Sequence, residues 1–246
     1  MSAATAQQSS PYTPGFFDGH RAGSRASAQG VLPLVLNWIR PQSIVDIGCG
    51  ECDWLFVAQS LGIQDVTGVD GSYIDRARLP IDQSRFTPTD LVRPFTLPRT
   101  FDLAMSLEVG EHLPPESADA FVASIAKVAP VVLFSAAMPG QGGTDHRNEQ
   151  WPDYWAQRFI SHGFHCFDAI RPLVWHDNTI KPYYRQNILL YIRSDHPLAG
   201  LPAIQHARTT RPLDLVHPEV FGWARKPGIK GSARLFFRAA KEKLGL

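Results

Sequence analysis

The chain has 246 residues, 44% of them hydrophobic and 19% charged, which suits one α/β domain with extensions and a substantial apolar core. A formal net charge of +1 gives no global pull toward nucleic acid or membrane, and no apolar run approaches the ~20 residues needed to span a bilayer. Three cysteines, Cys49, Cys52 and Cys166, cannot form a disulfide framework and fit a reducing compartment, so the expected location is cytoplasmic.

Residues 1–14, rich in Ser, Ala, Gln and Pro, lack an apolar signal core and are expected to form a disordered leader. A helix with one apolar face is expected over Ser24–Ile39 in spite of Pro33. Ser43–Ile47 predicts a short strand running into glycine, followed by a helix over Trp54–Leu61. A second strand, Asp65–Val69, ends at Asp70, a helical turn follows at Ile74–Leu79, and a short strand near Phe86 precedes Asp90. Phe101–Ser106 is the fourth predicted strand, Ser117–Val128 a helix, and Val131–Ser135 a fifth strand whose unbroken apolar run fits burial on both faces. A long glycine-rich loop, Met138–Gln150, leads to a helix near Asp153–His162 and strands at Phe164–Ile170 and Ile188–Ile192. Strands alternating with helices predict an α/β fold, a Rossmann-like doubly wound, mostly parallel seven-stranded sheet with helices on both faces.

The ordered domain is thus expected over residues 15–193, and residues 194–246 read as a basic extension. From Ile204 to Leu246 there are nine Lys/Arg against three Asp/Glu. Ser232–Leu244 reads as a terminal amphipathic helix packed through Leu235, Phe236 and Phe237, with a polyanion or membrane-surface contact as the other reading. Cys49 and Cys52 have CxxC spacing, but they lie inside a glycine-rich turn and no second Cys/His pair has zinc-finger spacing.

In SIVDIGCGECDWL, Asp46, Gly48 and Gly50 fall where a strand turns into a helix, so the backbone can approach a ligand that a Cβ would block. VTGVDGS follows at the proper distance and places Asp70 and Gly71 at the end of the second strand, where an acid accepts hydrogen bonds from ribose hydroxyls. The set DIGCG, GVD, TDL and FDLAMSLEVGEHL, in that order, resembles the class I S-adenosylmethionine-dependent methyltransferases over about Phe16 to Arg193. The resemblance implies that Asp46, Gly48 and Gly50 line the methionine part of S-adenosyl-L-methionine and that Asp70 and Gly71 bind its ribose. It also implies that Asp90 and Leu91 frame the adenine and that Leu107 lies beside the cofactor. Cys52 stands where the family often has a third glycine. A nicotinamide dehydrogenase would need glycine at Asp53.

Glu108, Glu111 and His112 sit at i, i+3 and i+4, one face of a helical turn, and GQGGTDHRNEQW brings His146 about thirty-five residues further on. ExxEH with a downstream histidine resembles the metal-dependent small-RNA 2′-O-methyltransferases, and ExxEH also resembles the ubiquinone-pathway O-methyltransferases. The implied metal set is Glu108, Glu111, His112 and His146, holding Mg2+ or Mn2+. A Glu-His pair at this place also occurs in methyltransferases that use no metal. Without one, His146 or Asp145 becomes the leading general base, so the catalytic candidates are His146, Glu108 and Asp145.

For the acceptor, Gln141 in the glycine-rich loop and Trp151, Tyr154, Tyr184 and Arg185 offer aromatic faces and donors that suit a sugar. FSAAMPGQGGTDHRNEQWPDYW and YYRQNILLYI resemble bacterial methyltransferases that accompany saccharide-building enzymes. They are also similar to the 1-O-methyltransferases of methylmannose polysaccharide synthesis, known from mycobacteria, which implies a mannoside. The expected activity is therefore metal-assisted O-methylation of a saccharide hydroxyl in polysaccharide biosynthesis. An RNA-terminal 2′-O-methyltransferase and a metal-free small-molecule O-methyltransferase using His146 are the alternatives. The expected partner is a saccharide or other hydroxyl-bearing substrate, with no nucleic acid, no transmembrane segment, and homodimerisation left open.

Overall fold

A computed structural model describes residues 13–225 and Ser232. Helix α1 (Pro14–Ile39) begins where the Thr13 side chain accepts the Phe16 N–H and Pro14 occupies the first helical position, both favourable at a helix start. It ends at Arg40, whose backbone turns left-handed (φ 50°). The helix is ten residues longer at its start than Ser24–Ile39, because its first turns are docked by tertiary ion pairs described below. The remainder of the chain runs β1 (Ser43–Ile47), α2 (Asp53–Ser60), β2 (Asp65–Asp70), β3 (Phe86–Pro88), β4 (Leu103–Leu107), α3 (Ala118–Val128), β5 (Val131–Ser135), α4 (Pro152–Ser161), β6 (Phe164–Phe167), α5 (Arg171–Val174), α6 (Pro182–Asn187), β7 (Leu189–Arg193), α7 (Pro202–Gln205), β8 (Arg208–Thr209) and α8 (Pro218–Arg225).

The sheet order is β3-β2-β1-β4-β5-β7-β6-β8. Pairing is parallel from β3 to β5 and antiparallel at β5·β7, β7·β6 and β6·β8. All seven predicted strands are present, and the two-residue β8 adds an eighth on β6 from within the expected extension. The residues proposed for the 1–14 leader and for the Ser232–Leu244 helix lie largely outside the described residues. No described helix is long and apolar enough to cross a membrane.

The continuous apolar strands are explained by a core on each face of the sheet. Ile44 of β1 and Val131 and Leu133 of β5 enter one core with Val31, Leu32 and Leu55. Val45 and Ile47 of β1 and Val132 and Phe134 of β5 enter the other with Phe121, Ile125 and Phe159. Successive strand side chains point to opposite faces, so a strand buried on both reads as unbroken hydrophobicity. The chain passes from β1 outward through β2 to β3, then returns to β4 and β5 on the other side of β1. Such a reversal opens a crevice beyond the carboxyl ends of the strands, where ligands bind in open α/β sheets.

Candidate active site

That crevice is a cavity of about 1040 Å³, lined by Asp46, Gly48 and Gly50 after β1, Asp70 and Gly71 after β2, Asp90 and Leu91 after β3, and Leu107 and Glu108 after β4. All eight residues expected to hold the cofactor therefore share one wall. Gly48 adopts φ 81°, and a Cβ there would come within 2.3 Å of the Val109 side chain, so the turn after β1 requires glycine on two counts. The Gly50 N–H donates to Asp70 Oδ2 at 2.7 Å, and the Gly71 N–H and Tyr73 hydroxyl donate to Oδ1 at 2.6 and 2.5 Å. Three of about four acceptor positions on the Asp70 carboxylate are thus already used, one of them by Tyr73. The Asp46 carboxyl is buried, and burial followed by the Asp70 charge pushes its pKa up to about 8. A ligand carrying positive charge would relieve that position, which fits the sulfonium and ammonium of S-adenosylmethionine.

Helix α1 closes the cavity from above with Phe16, Phe17, His20 and Ser24. An ion-pair cluster clasps it down: Glu51, buried in the glycine-rich turn, meets both Arg21 and Arg78. Arg78 also reaches Asp18 at 2.5 Å, and Arg25 meets Asp53 at 2.7 Å. The sequence reading missed this wall, since residues 14–23 carry three glycines and little apolar periodicity.

Beyond the cofactor wall, Glu108 departs from the expected helical face. Its backbone is left-handed (φ 56°) and precedes a 3-10 turn at Gly110–His112. Its carboxylate accepts from Gln141 Nε2 at 2.8 Å and from Asn187 Nδ2 at 3.0 Å. Burial raises its pKa, and the Asn187, Gln141 and Ser135 contacts oppose that rise. The four-ligand set contracts accordingly: Glu111, His112 and His146 offer ligand atoms within 4.8 Å of one another, and Glu108 is not among them. Gly110 makes the turn possible by lying flat on the buried Trp155 ring, which a Cβ would strike at 2.7 Å.

Glu111 is buried, and neither of its carboxylate oxygens accepts a hydrogen bond of normal geometry. Burial and then the neighbouring Glu108 charge push its pKa well above the usual range. Burial, with the charge of His146, pushes the His112 pKa down to about 4, so its ring is neutral and able to ligate at pH 7. The two imidazoles meet edge to face with centroids 4.9 Å apart.

The glycine-rich loop is tied to this floor. The Arg147 and Asn148 N–H groups donate to the Glu111 carbonyl at 2.7 and 2.9 Å. Glu149, which the sequence reading assigned no role, gathers the Gly140 and Gly142 N–H groups and His146 Nδ1 at 2.7 to 2.9 Å. Burial of Glu149 raises its pKa, but the His146 and glycine hydrogen bonds prevail and hold it below the usual value. Asp145, a candidate base, is engaged by Arg147 through both oxygens at 3.2 and 2.9 Å and is not available as one in this arrangement.

The acceptor candidates divide. Gln141 and Tyr184 line the cavity, although Gln141 holds Glu108 and Tyr184 is mostly buried edge-on to Trp54. Trp151, Tyr154 and Arg185 do not reach the cavity lining. Trp151 caps α4, and Tyr154 lies under the Arg158 guanidinium at 3.5 Å. Arg185 is buried and paired with Glu219 at 2.6 Å. Tyr154 on α4 and Arg185 on α6 thus serve packing, while Trp151 stays partly exposed away from the cavity. Tyr183 and Trp223 enter the lining in their place.

A methyltransferase domain family matches residues 19–175, which span the glycine-rich turn, the three ends of the central strands and the loop bearing His146. The chain belongs to that family. It is an S-adenosylmethionine-dependent methyltransferase with the Rossmann-like fold of its class. No curated protein sequence matches this methyltransferase. Among solved structures it is similar to the sugar N-methyltransferase KedS8 of Streptoalloteichus sp. ATCC 53650, with a TM-score of 0.59, 15% identity, and coverage of 78% of this chain and 97% of that one. It is also similar to DesVI of Streptomyces venezuelae (0.54, 17%, 73% and 96%). Magnesium protoporphyrin IX methyltransferase of Synechocystis PCC 6803 is a third (0.51, 18%, 77% and 90%). At such identities the likeness establishes the fold.

Proposed function

We propose that this methyltransferase transfers the methyl group of S-adenosylmethionine to a saccharide hydroxyl, assisted by a divalent cation held by Glu111, His112 and His146. The observation that carries the metal is Glu111, a buried carboxylate without a normal hydrogen bond, beside two imidazoles. Burial pushes this carboxyl toward its protonated form, and a bound cation would favour the ionised, ligating form. One carboxylate with two imidazoles favours Mn2+ or another first-row ion over Mg2+. When bound, such an ion supplies Lewis acidity that lowers the pKa of an acceptor hydroxyl, and the cofactor supplies an electrophilic methyl group.

The chain's own groups position these components. Glu149 engages His146 Nδ1 and so fixes the ring, whose Nε2 edge packs beside Gly143 at the cavity lining. Gln141 and Asn187 hold Glu108 beside the cofactor wall. Asp46 meets the cationic part of the cofactor and Asp70 its ribose, while the 138–150 loop excludes water over the reacting atoms. The His146–Glu149 pair also supports a second reading, in which His146 removes the acceptor proton and Glu149 orients its ring.

The charge of the cavity supports an uncharged acceptor. Its described lining contains eight carboxylates (Asp46, Glu51, Asp53, Asp70, Asp90, Glu108, Glu111 and Asp145) and one guanidinium, Arg147. Asp46 and Glu111 are pushed toward their neutral forms, and Glu51, Asp53, Asp90 and Asp145 are paired with arginines. A polyanion such as RNA would still find one guanidinium in this lining, Arg147, already engaged by Asp145, so a neutral sugar suits it better. KedS8, of like fold, is a sugar N-methyltransferase, so the fold can accommodate a sugar although the methylated atom there is nitrogen. The test is transfer of labelled methyl groups to a panel of short oligosaccharides, a ribose-terminated RNA and catechols. Labelling of the oligosaccharides is expected; labelling confined to RNA or catechols would overturn the acceptor assignment.

A further inference from the structure

The family match ends at residue 175, yet the cavity wall does not. Trp223 on α8 lines the same cavity as the cofactor turn and His146, with 47% of its surface exposed. At about 1040 Å³, the cavity reaches the top of the ~300–1,000 Å³ range of small-molecule sites and has room for an acceptor beside the cofactor.

Helix α8 is firmly placed. Glu219 pairs with the buried Arg185 at 2.6 Å, and Val220 is fully buried. The His217 N–H donates to Gln186 Oε1 at 2.8 Å, and Arg171 donates to the Leu213 carbonyl at 3.0 Å. Gln186 in turn donates to Gln141 Oε1 at 3.3 Å, and Gln141 holds Glu108. A chain of side-chain hydrogen bonds therefore joins the segment before α8 to the residues beside the reacting atoms.

We infer that Trp223 is the acceptor-stacking wall and sets which acceptors are used. An indole left half open on an anchored helix, at the wall of a ligand cavity, presents an apolar face to whatever enters. Its complement is a ring with an apolar C–H face and polar edges, and carboxyl groups line the same cavity and can accept from hydroxyls. The sugar identity of that ring rests on the reading under Proposed function; the stacking role of Trp223 does not.

The test compares wild type with Trp223→Ala and Trp223→Phe, using a short α-linked oligosaccharide as acceptor and calorimetry for S-adenosylmethionine. For Trp223→Ala, KM for the acceptor should rise about tenfold or more with kcat within about threefold, a pattern that marks lost acceptor binding. Cofactor affinity should stay within about twofold, and Trp223→Phe should recover most of the loss. Unchanged acceptor KM in Trp223→Ala, or an equal loss of cofactor affinity, would overturn the inference. If wild type labels catechols and no oligosaccharide, the saccharide reading falls. The Trp223 wall is then supported by the same rise in KM for the catechol and overturned without it.

Discussion

Glu111 and Asp46 are two buried carboxyls that line the same cavity, and among the described residues neither is paired with a cationic side chain. For Glu111 the consequence is a trade between stability and metal binding. Glu111→Gln replaces a carboxyl whose ionised form burial disfavours with a neutral isostere, so the metal-free variant should melt at or above the wild-type temperature. Saturating Mn2+ at about 100 times its Kd should add roughly 2.7 kcal/mol to wild type, a rise of about 5–10 °C for a chain this long, and almost nothing to the variant. Equal Mn2+ stabilisation of both proteins would remove Glu111 from the ligand set. For Asp46, a pKa of about 8 leaves the free carboxyl mostly protonated at pH 7. A cationic cofactor favours the ionised form, so binding should release a proton, and affinity should strengthen as pH rises toward 8 and level off above it. Calorimetry at pH 7 in buffers of different ionisation enthalpy would measure the release. It should exceed that of Asp46→Asn, and identical proton counts would contradict the assignment. His146→Ala should abolish turnover whether the ring ligates a cation or removes a proton, whereas Glu149→Gln should lower kcat with little change in cofactor affinity.

At the scale of elements, the clasp of α1 on the glycine-rich turn makes a stability prediction. Glu51→Ala leaves Arg21 and Arg78 without their buried partner. Both arginines are partly exposed and can resolvate, so the loss is that of charged hydrogen bonds, about 2 kcal/mol. The melting temperature should fall by roughly 5 °C and cofactor affinity should weaken as Phe16 and Phe17 lose their seat. A melt within about 2 °C of wild type would show that the clasp contributes little. The central strands and the turns after β1 and β2 were legible because local pattern and tertiary demand agree there. β5 is apolar at four of its five positions and is buried on both faces, and Gly48 stands where only glycine fits. The chemistry half was less legible. A helical spacing of Glu108, Glu111 and His112 implied one shared face, but Glu108 turns left-handed and is held by Asn187, 79 residues away. No local signal announces a partner at that separation. The aromatic clusters around Trp151 and Tyr154 were visible as composition, yet helix packing turned them away from the cavity and Trp223 took that place from beyond the expected domain.

For the whole molecule, a two-sided sheet reverses direction at β1 and β4 and brings the cofactor turn, the Glu111–His112 turn and the His146 loop to a single opening. The described lining of that opening carries a single guanidinium, Arg147, itself engaged by Asp145, which suits neutral acceptors better than polyanions. The first helix covers one side, and α8, outside the family match, closes another. The most direct test of metal-assisted transfer is the initial rate of oligosaccharide methylation by chelator-stripped enzyme as Mn2+ is added back, with His112→Ala run alongside. Wild type should be nearly inactive when stripped and recover along a saturable curve, with His112→Ala needing about tenfold or more Mn2+. A stripped wild-type enzyme that works at its full rate would contradict the metal assignment.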